Sequence, residues 1–251
     1  MRILLVSDIH ANLEALESCL AAAPAHDRIV NLGDVVGYGA NPNEAVNESR
    51  RLNGVLVRGN HDKACSGVMS LEDFNPVAAL AALWTREILT PENLTWLREL
   101  PQGPVPLQDV EEVQCVHGSP LDEDEYLLVI HDAIEPLLKA AKPLTFFGHT
   151  HVQGGFAIRK SRHETLRPTY PSKNGADEST LSLDKGGHYL INPGSIGQPR
   201  DGDWRAAFAL FDSEKCEVTF LRVPYDLKAA QKRILEAGLP ERLATRLAEG
   251  R

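Results

Sequence analysis

The 251-residue sequence predicts an α/β fold of the α+β type, with two β-layers flanked by helices. Three observations carry this expectation. Through residue 60, short apolar runs alternate with helical patterns, as in βαβ units that build a sheet of parallel strands. From Val113 onward strand candidates dominate and a single helix interrupts them. Residues 226–251 return to helical periodicity. No internal repeat and no linker-like shift of composition divides the chain, so residues 1–251 read as one domain.

Ile3 to Val6 is a short apolar run, and Asn12 then caps a helix with Leu13, Leu16 and Leu20 along one face. Ile29-Val30-Asn31-Leu32 is strand-like and ends in Gly33-Asp34. Asn41-Pro42-Asn43-Glu44 joins a cap residue, a proline at the first helical position and an acid three residues past the cap. The helix it starts runs to about Leu52. Val55 to Arg58 is a third strand, ending in Gly59-Asn60-His61-Asp62. Asn75-Pro76 and Thr90-Pro91 start two further helices, with Trp84 and Trp96 as core anchors.

Strand candidates follow at Val113 to Val116, Leu144 to Phe147, Phe156 to Ile158, Tyr189 to Ile191, Ala206 to Phe211 and Val218 to Val223. The interrupting helix spans about Asp132 to Ala141, with Pro136 as a kink candidate. Arg159 to Gly187, polar and holding two prolines and three glycines, reads as a hairpin excursion or a flap. Asp226 caps the C-terminal helices, Gly238 breaks them and Pro240 restarts them. Leu227, Leu235, Leu243 and Leu247 form packing faces there; too few Lys/Arg accompany them for a membrane anchor.

Composition narrows the function classes. Against 35 Asp+Glu stand 26 Lys+Arg, a formal charge of −9, so no extended nucleic-acid surface is expected. A small anionic substrate held by local cations remains compatible. Hydrophobic residues at 43% and charged residues at 24% match a globular chain rather than a disordered one. Cys19, Cys65, Cys115 and Cys216 are scattered without a CxxC pair, which reads as reduced, mostly buried thiols. The first apolar run is too short for a signal peptide, and no stretch approaches the roughly eighteen apolar residues of a membrane span. The expectation is a soluble, cytoplasmic protein that does not engage a membrane.

Residue types able to bind metal recur where apolar strands end. Asp8-Ile9-His10 places an acid and an imidazole two apart, which in extended chain point to one side. Asp34 follows the second strand and Asn60-His61-Asp62 the third; His117 and the pair His149-Thr150-His151 follow later strands. Each motif alone has a plain structural reading as a turn or a helix cap. Together, with carboxylate, amide and imidazole delivered to the carboxyl ends of strands, they read as a metal site. Imidazole-rich shells with oxygen donors and no thiolate suit Mn, Fe, Co, Ni or Zn rather than Ca or Mg.

Asp8-x-His10, Gly33-Asp34-x-x-Gly37, Gly59-Asn60-His61-Asp62, His117 and Gly148-His149-x-His151 resemble the calcineurin-like metallophosphoesterases over nearly the whole chain. Gly37-Tyr38-Gly39 with Asn41 to Glu44, the segment Asn192 to Gly202, and Val223-Pro224-Tyr225-Asp226 resemble a small bacterial phosphodiesterase-type branch. The resemblance implies a four-layer α/β/β/α sandwich of two mixed sheets, in agreement with the layers read above. It also implies two divalent transition-metal ions, manganese first. Asp8, His10 and His151 would hold one, Asn60, His117 and His149 the other, and Asp34 would bridge them. Two dications against Asp8 and Asp34 leave about +2, suited to a bridging hydroxide and a phosphate together. His61 would assist the leaving oxygen. The implied activity is hydrolysis of phosphodiesters or small phosphomonoesters, with a small phosphate ester as partner.

Protein serine/threonine phosphatases resemble this chain but read Gly-Asp-x-x-Asp-Arg-Gly and Gly-Asn-His-Glu; here Gly37, Tyr38 and Asp62 stand at the differing positions. The Asp that partners the catalytic histidine and the Arg that grips phosphate are therefore missing. Symmetrical dinucleoside tetraphosphatases share that Asp-Arg pair, so dinucleoside polyphosphate hydrolysis and protein dephosphorylation are alternatives to the main reading. Tyr38 and Arg200 are candidate replacements for substrate contact. A noncatalytic scaffold on the same fold is a further alternative, as is a metal-dependent nuclease, which the net charge disfavours. His26, His131, His163 and His188 read as surface or capping residues.

Overall fold

The computed structural model describes all 251 residues. The chain runs β1 (Arg2–Val6), α1 (Leu13–Ala22), β2 (Arg28–Asn31), α2 (Pro42–Arg51), β3 (Val55–Leu56), α3 (Asn60–Ser66), α4 (Pro76–Ile88) and α5 (Pro91–Arg98). It continues with β4 (Val105–Pro106), β5 (Val113–Cys115), α6 (Ile130–Lys139), β6 (Leu144–Phe146), β7 (Gly154–Arg159), β8 (Arg162–Leu166), β9 (Asp177–Ser182) and β10 (His188–Asn192). It ends with β11 (Ala206–Asp212), β12 (Glu217–Val223), α7 (Leu227–Glu236) and α8 (Glu241–Glu249).

Two six-stranded mixed sheets result, in the orders β3-β2-β1-β11-β12-β9 and β4-β5-β6-β10-β7-β8. In the first, β1, β2 and β3 are parallel, and β11, β12 and β9 extend the sheet antiparallel. In the second, β5, β6 and β10 are parallel, flanked by antiparallel β4, β7 and β8. Each sheet thus carries one parallel triplet, and each triplet ends in loops rich in Asp, Asn and His.

The period-two alternation of the strands builds the layers. Ile3 and Leu5 of β1 point between the sheets with Ala209 and Phe211 of β11, meeting Leu144 and Phe146 of β6 and Tyr189 and Ile191 of β10. Leu4 and Val6 face the other way, against Leu16, Ala45, Ala81, Ile234 and Leu243 of five helices. On the far side, Leu190 of β10 and Phe156 of β7 pack on Ala133 and Leu137 of α6. The order is helix, sheet, sheet, helix, as expected.

The caps form as read: Asn12, Asn75, Thr90 and Asp226 each accept a bond from a first-turn backbone N–H. Asn41 makes no such side-chain bond, and Pro42 alone marks that start. Several local expectations are corrected. The third strand is only Val55–Leu56, and the motif after it opens a helix, α3, that periodicity did not reveal in seven residues. Trp84 and Trp96 are half-buried against the helical core instead of anchoring it, and Leu235 is exposed. The helix α6 continues through Pro136. Of the two readings of residues 159–187 the hairpin forms, β8 returning from β7 through Lys160-Ser161, both at positive φ, while β9 crosses to the other sheet to pair with β12. His163 and His188 accordingly lie in strands β8 and β10.

Candidate metal centre

Asp8, Asp34, Asn60, His117, His149 and His151 leave the carboxyl ends of β1, β2, β3, β5 and β6, where the two parallel triplets meet. His10 joins them from the loop after β1. All except the half-buried Asn60 are buried. The extended-chain reading of the two i, i+2 pairs does not hold. Asp8, His10, Asp34, His149 and His151 all sit at positive φ, between 48° and 65°. Such left-handed residues fold the loops back on themselves and cost conformational energy outside glycine. The consequence is largest for His149 and His151, whose side chains part: the His151 ring lies 4.7 Å from His10, and the His149 ring 4.8 Å from His117.

Donor atoms gather in two groups. Those of Asp8, His10, Asp34 and His151 lie within 4.8 Å of one another, as do those of Asp34, His117 and His149. Asp34 is common to both. Its Oδ2 lies 3.5 Å from His10 Nε2 and 3.4 Å from His117 Nε2, while Oδ1 accepts the His61 backbone N–H at 2.8 Å. Asn60 Oδ1 lies 3.3 Å from His117 Nε2.

The outer hydrogen bonds decide which ring nitrogen faces inward. The Nδ1–H groups of His10, His117 and His151 donate to the carbonyl oxygens of Val36, Leu32 and Gln198 at 3.0, 2.7 and 2.6 Å. Their Nε2 atoms therefore point at the centre. His149 is reversed: its Nε2–H donates to Asp124 O at 3.0 Å, leaving Nδ1 inward. With both Nδ1 atoms protonated, neutral His10 and His151 bring two Nε2 lone pairs to 3.1 Å. Facing lone pairs repel, and a shared cation relieves them. The donor set fits a metal on that ground.

Electrostatics agree. Burial holds His10, His149 and His151 well below the ordinary histidine range, so they are neutral donors. At His117 burial acts the same way, but the Asp34 carboxylate outweighs it and pushes the imidazole up to about 10. Burial likewise opposes the charge on Asp34, yet His117 and the other rings hold it well below the carboxylate range. Without metal, the proton on His117 Nε2 takes the place of a cation against Asp34.

A second set of side chains braces the ligands. Ser7 Oγ donates to Asp8 Oδ2 at 2.6 Å, and the His149 backbone N–H to Asp8 Oδ1 at 3.2 Å. Asp62 accepts from the backbone N–H groups of Asp34, Val35 and Gly59 at 2.8, 2.9 and 2.9 Å, tying the Asp34 loop to the start of α3. A Cβ at Gly59 would overlap Asp34 Oδ1 and its backbone N, so only glycine allows this approach. Ser195 Oγ donates to Asp8 O at 2.8 Å and receives Gln198 N at 2.8 Å, which places the carbonyl that orients His151.

His61 is buried beside this cluster, its ring 4.3 Å from Tyr38 and 4.9 Å from His10. Its Nδ1 has no hydrogen-bond partner, and a Cβ at Gly37 would lie 2.5 Å from it. The loop at Gly37 thus closes on the ring edge with no room for a carboxylate, and burial lowers His61 to about 4. Tyr126, which sequence reading missed inside an acidic run, stacks on His149 at 3.7 Å. Lys63 fixes that run, donating to Glu123 at 2.9 Å and to Asp124 at 2.7 Å. Arg200 reaches Tyr38 Oη at 3.4 Å. Ser7 and Asp62 were legible as polar neighbours inside the motifs; nothing local marked Tyr126.

The family model for the calcineurin-like phosphoesterase superfamily domain matches residues 1–215. A protein of Methanocaldococcus jannaschii is 37% identical over 254 residues, covering 99% of this chain and 98% of that protein. The crystal structure of a metallophosphoesterase from Sphaerobacter thermophilus is 43% identical, with a TM-score of 0.85, and the match covers 100% of this chain and 99% of that one. A hypothetical protein from Pyrococcus horikoshii OT3, 20% identical, shares the fold with a TM-score of 0.78 over 100% of this chain and 98% of its own.

Proposed function

Because the chain belongs to the calcineurin-like phosphoesterase superfamily and is a metallophosphoesterase, we propose that it hydrolyses phosphodiesters or small phosphomonoesters at a pair of divalent cations. Asp8, His10 and His151 hold one ion, Asn60, His117 and His149 the other, and Asp34 is shared. The observation that carries this reading is the place of Asp34 Oδ2, at 3.5 and 3.4 Å from an imidazole nitrogen of each donor group. Manganese suits the nitrogen and oxygen donors, and Fe, Zn, Co and Ni are compatible with the same set. When bound, such cations acidify water and draw charge from phosphate oxygens.

The chain's own groups do the rest. Asp8 and Asp34 offset the cations, and the backbone bonds to His10, His117 and His151 fix three rings before any ligand arrives, which lowers the cost of reorganisation. His61, neutral through burial, donates a hydrogen bond to the departing oxygen from Nε2–H, the ring nitrogen opposite the closed Nδ1 edge. Tyr38 and Arg200 contact the substrate beside it. A small ester fits a site built from buried rings.

The test is a metal-replete panel of an aryl phosphodiester, an aryl phosphomonoester, cyclic nucleotides and dinucleoside polyphosphates, compared by kcat/KM. Chelation is expected to abolish turnover and Mn(II) to restore it. Undiminished turnover by rigorously metal-free protein refutes the reading.

A further inference from the structure

Two cations stand beside the centre: Arg200, given a substrate contact above, and Arg246, which has had no part so far. Arg246 of α8 and Arg200 of the loop after β10 each place the guanidinium carbon 5.8 Å from the centroid of the Tyr38 ring. They stand together on a single tyrosine although far apart in sequence. Neither forms an ion pair with an Asp or Glu side chain. Glu249, the acid nearest Arg246 on its helix, is held by Arg242 at 3.0 Å. Arg200 donates to Tyr38 Oη and to Gln198 Oε1 at 3.4 and 3.1 Å, and its buried Nε has no partner. Arg246 donates through Nε to the Arg251 carbonyl oxygen.

Both arginines are half-buried. Burial and the charge of Arg200 make Arg246 easier to deprotonate than an ordinary arginine, the mark of like charges held together out of water. In a chain of net charge −9, two neighbouring arginines that no Asp or Glu side chain neutralises make an anion site. Its position defines what it grips. The Tyr38 ring lies 4.3 Å from His61 and 4.7 Å from His10, so the pair borders the centre on the His61 side.

We propose that Arg200 and Arg246 clamp a phosphate or phosphonate carried on the leaving alcohol, so that the preferred substrates are phosphoesters whose leaving group is itself phosphorylated. The proposal rests on the phosphoesterase reading and on His61 marking the leaving-group side. A guanidinium binds a phosphoryl group in bidentate fashion, and a charged hydrogen bond of this type is worth about 1.5–3 kcal/mol, or roughly 10–150-fold.

The test compares 4-methylphenyl phosphate with 4-(phosphonomethyl)phenyl phosphate, which have the same scissile bond and similar phenols. The Mn(II)-loaded wild type is expected to favour the phosphonomethyl substrate. In R246Q that preference falls by about tenfold or more, chiefly through KM, and R246K recovers part of it. A second measurement needs no turnover: benzylphosphonate binding to the metal-free chain by calorimetry weakens in R246Q. Equal losses on both substrates, or unchanged benzylphosphonate binding, overturn the clamp. If the wild type turns over neither ester, the hydrolase reading fails, while the binding arm still decides the clamp. Circular dichroism and metal content identify a misfolded variant, and R246M, which keeps the aliphatic stem over Tyr38, then carries the test.

Discussion

Replacing Asp34 by asparagine tests the shared carboxylate most directly. Oδ1 accepts the His61 N–H at 2.8 Å, so the amide of D34N turns its oxygen to that bond and its NH2 to the position of Oδ2. A donor then faces the cations where an acceptor stood, between His10 and His117. The magnitude can be read from His117, whose imidazole rises from 6.5 to about 10 against the opposing effect of burial, chiefly under the field of Asp34. That shift corresponds to on the order of 5 kcal/mol for one positive charge, and a dication at the same place feels at least as much. D34N is expected to lose both ions, with affinity down by about 1000-fold or more at each. Equilibrium dialysis against Mn(II) with metal analysis reads the stoichiometry. H151A, the control, loses one ion and keeps the other. Retention of either ion at wild-type affinity in D34N refutes the shared-ligand argument.

Metal uptake should release protons. His117 carries a proton between pH 6.5 and about 10 in the metal-free protein, and a cation displaces it; calorimetry in buffers of different ionisation enthalpy should find about one proton per chain from this group at pH 8. Because protons compete, affinity falls as pH falls, and a pH-independent affinity would contradict the assignment. H61A should bind two ions as the wild type does, yet lose about 100- to 10,000-fold in kcat; a lower metal content would mean that His61 is a ligand. His61 is lowered to about 4, so below pH 6.5 the unfolded chain takes a proton that the native ring refuses, and stability falls from pH 6.5 toward 4 by about 3 kcal/mol in total. Urea titrations of metal-free wild type and H61Q should show that extra slope in the wild type alone. G59A pushes on Asp34 Oδ1 without removing a ligand, and should weaken metal binding while H61A does not.

Much of this protein was legible locally. Apolar runs of period two and helices of period 3.6 are properties of neighbouring residues, and so are the caps at Asn12, Asn75, Thr90 and Asp226. Strand ends bearing Asp8, Asp34, Asn60, His117, His149 and His151 pointed to a metal before any fold was known, because packing gives no reason for so many imidazoles and acids at those positions. Short elements escaped. The seven residues of α3 and the two of β4 are too few to show a period, and polar β8 and β9 draw their pairing from neighbouring strands rather than from their own composition.

Ligand grouping was decided only in three dimensions. His149 and His151 look equivalent in sequence, but left-handed backbone sends them to different partners, and a bond to Asp124 O turns His149 over so that Nδ1 faces inward. The unpartnered Nδ1 of His61 follows from how closely the Gly37 loop meets its ring, a distance no spacing rule contains. Tyr126 on His149 and Arg246 over Tyr38 come from an acidic loop and the last helix, segments whose composition describes solvated surface. Sequence pattern records which residues have a reason to be buried or to bind. Where distant loops cross, it is steric fit and hydrogen-bond closure between segments far apart in the chain that choose the partners.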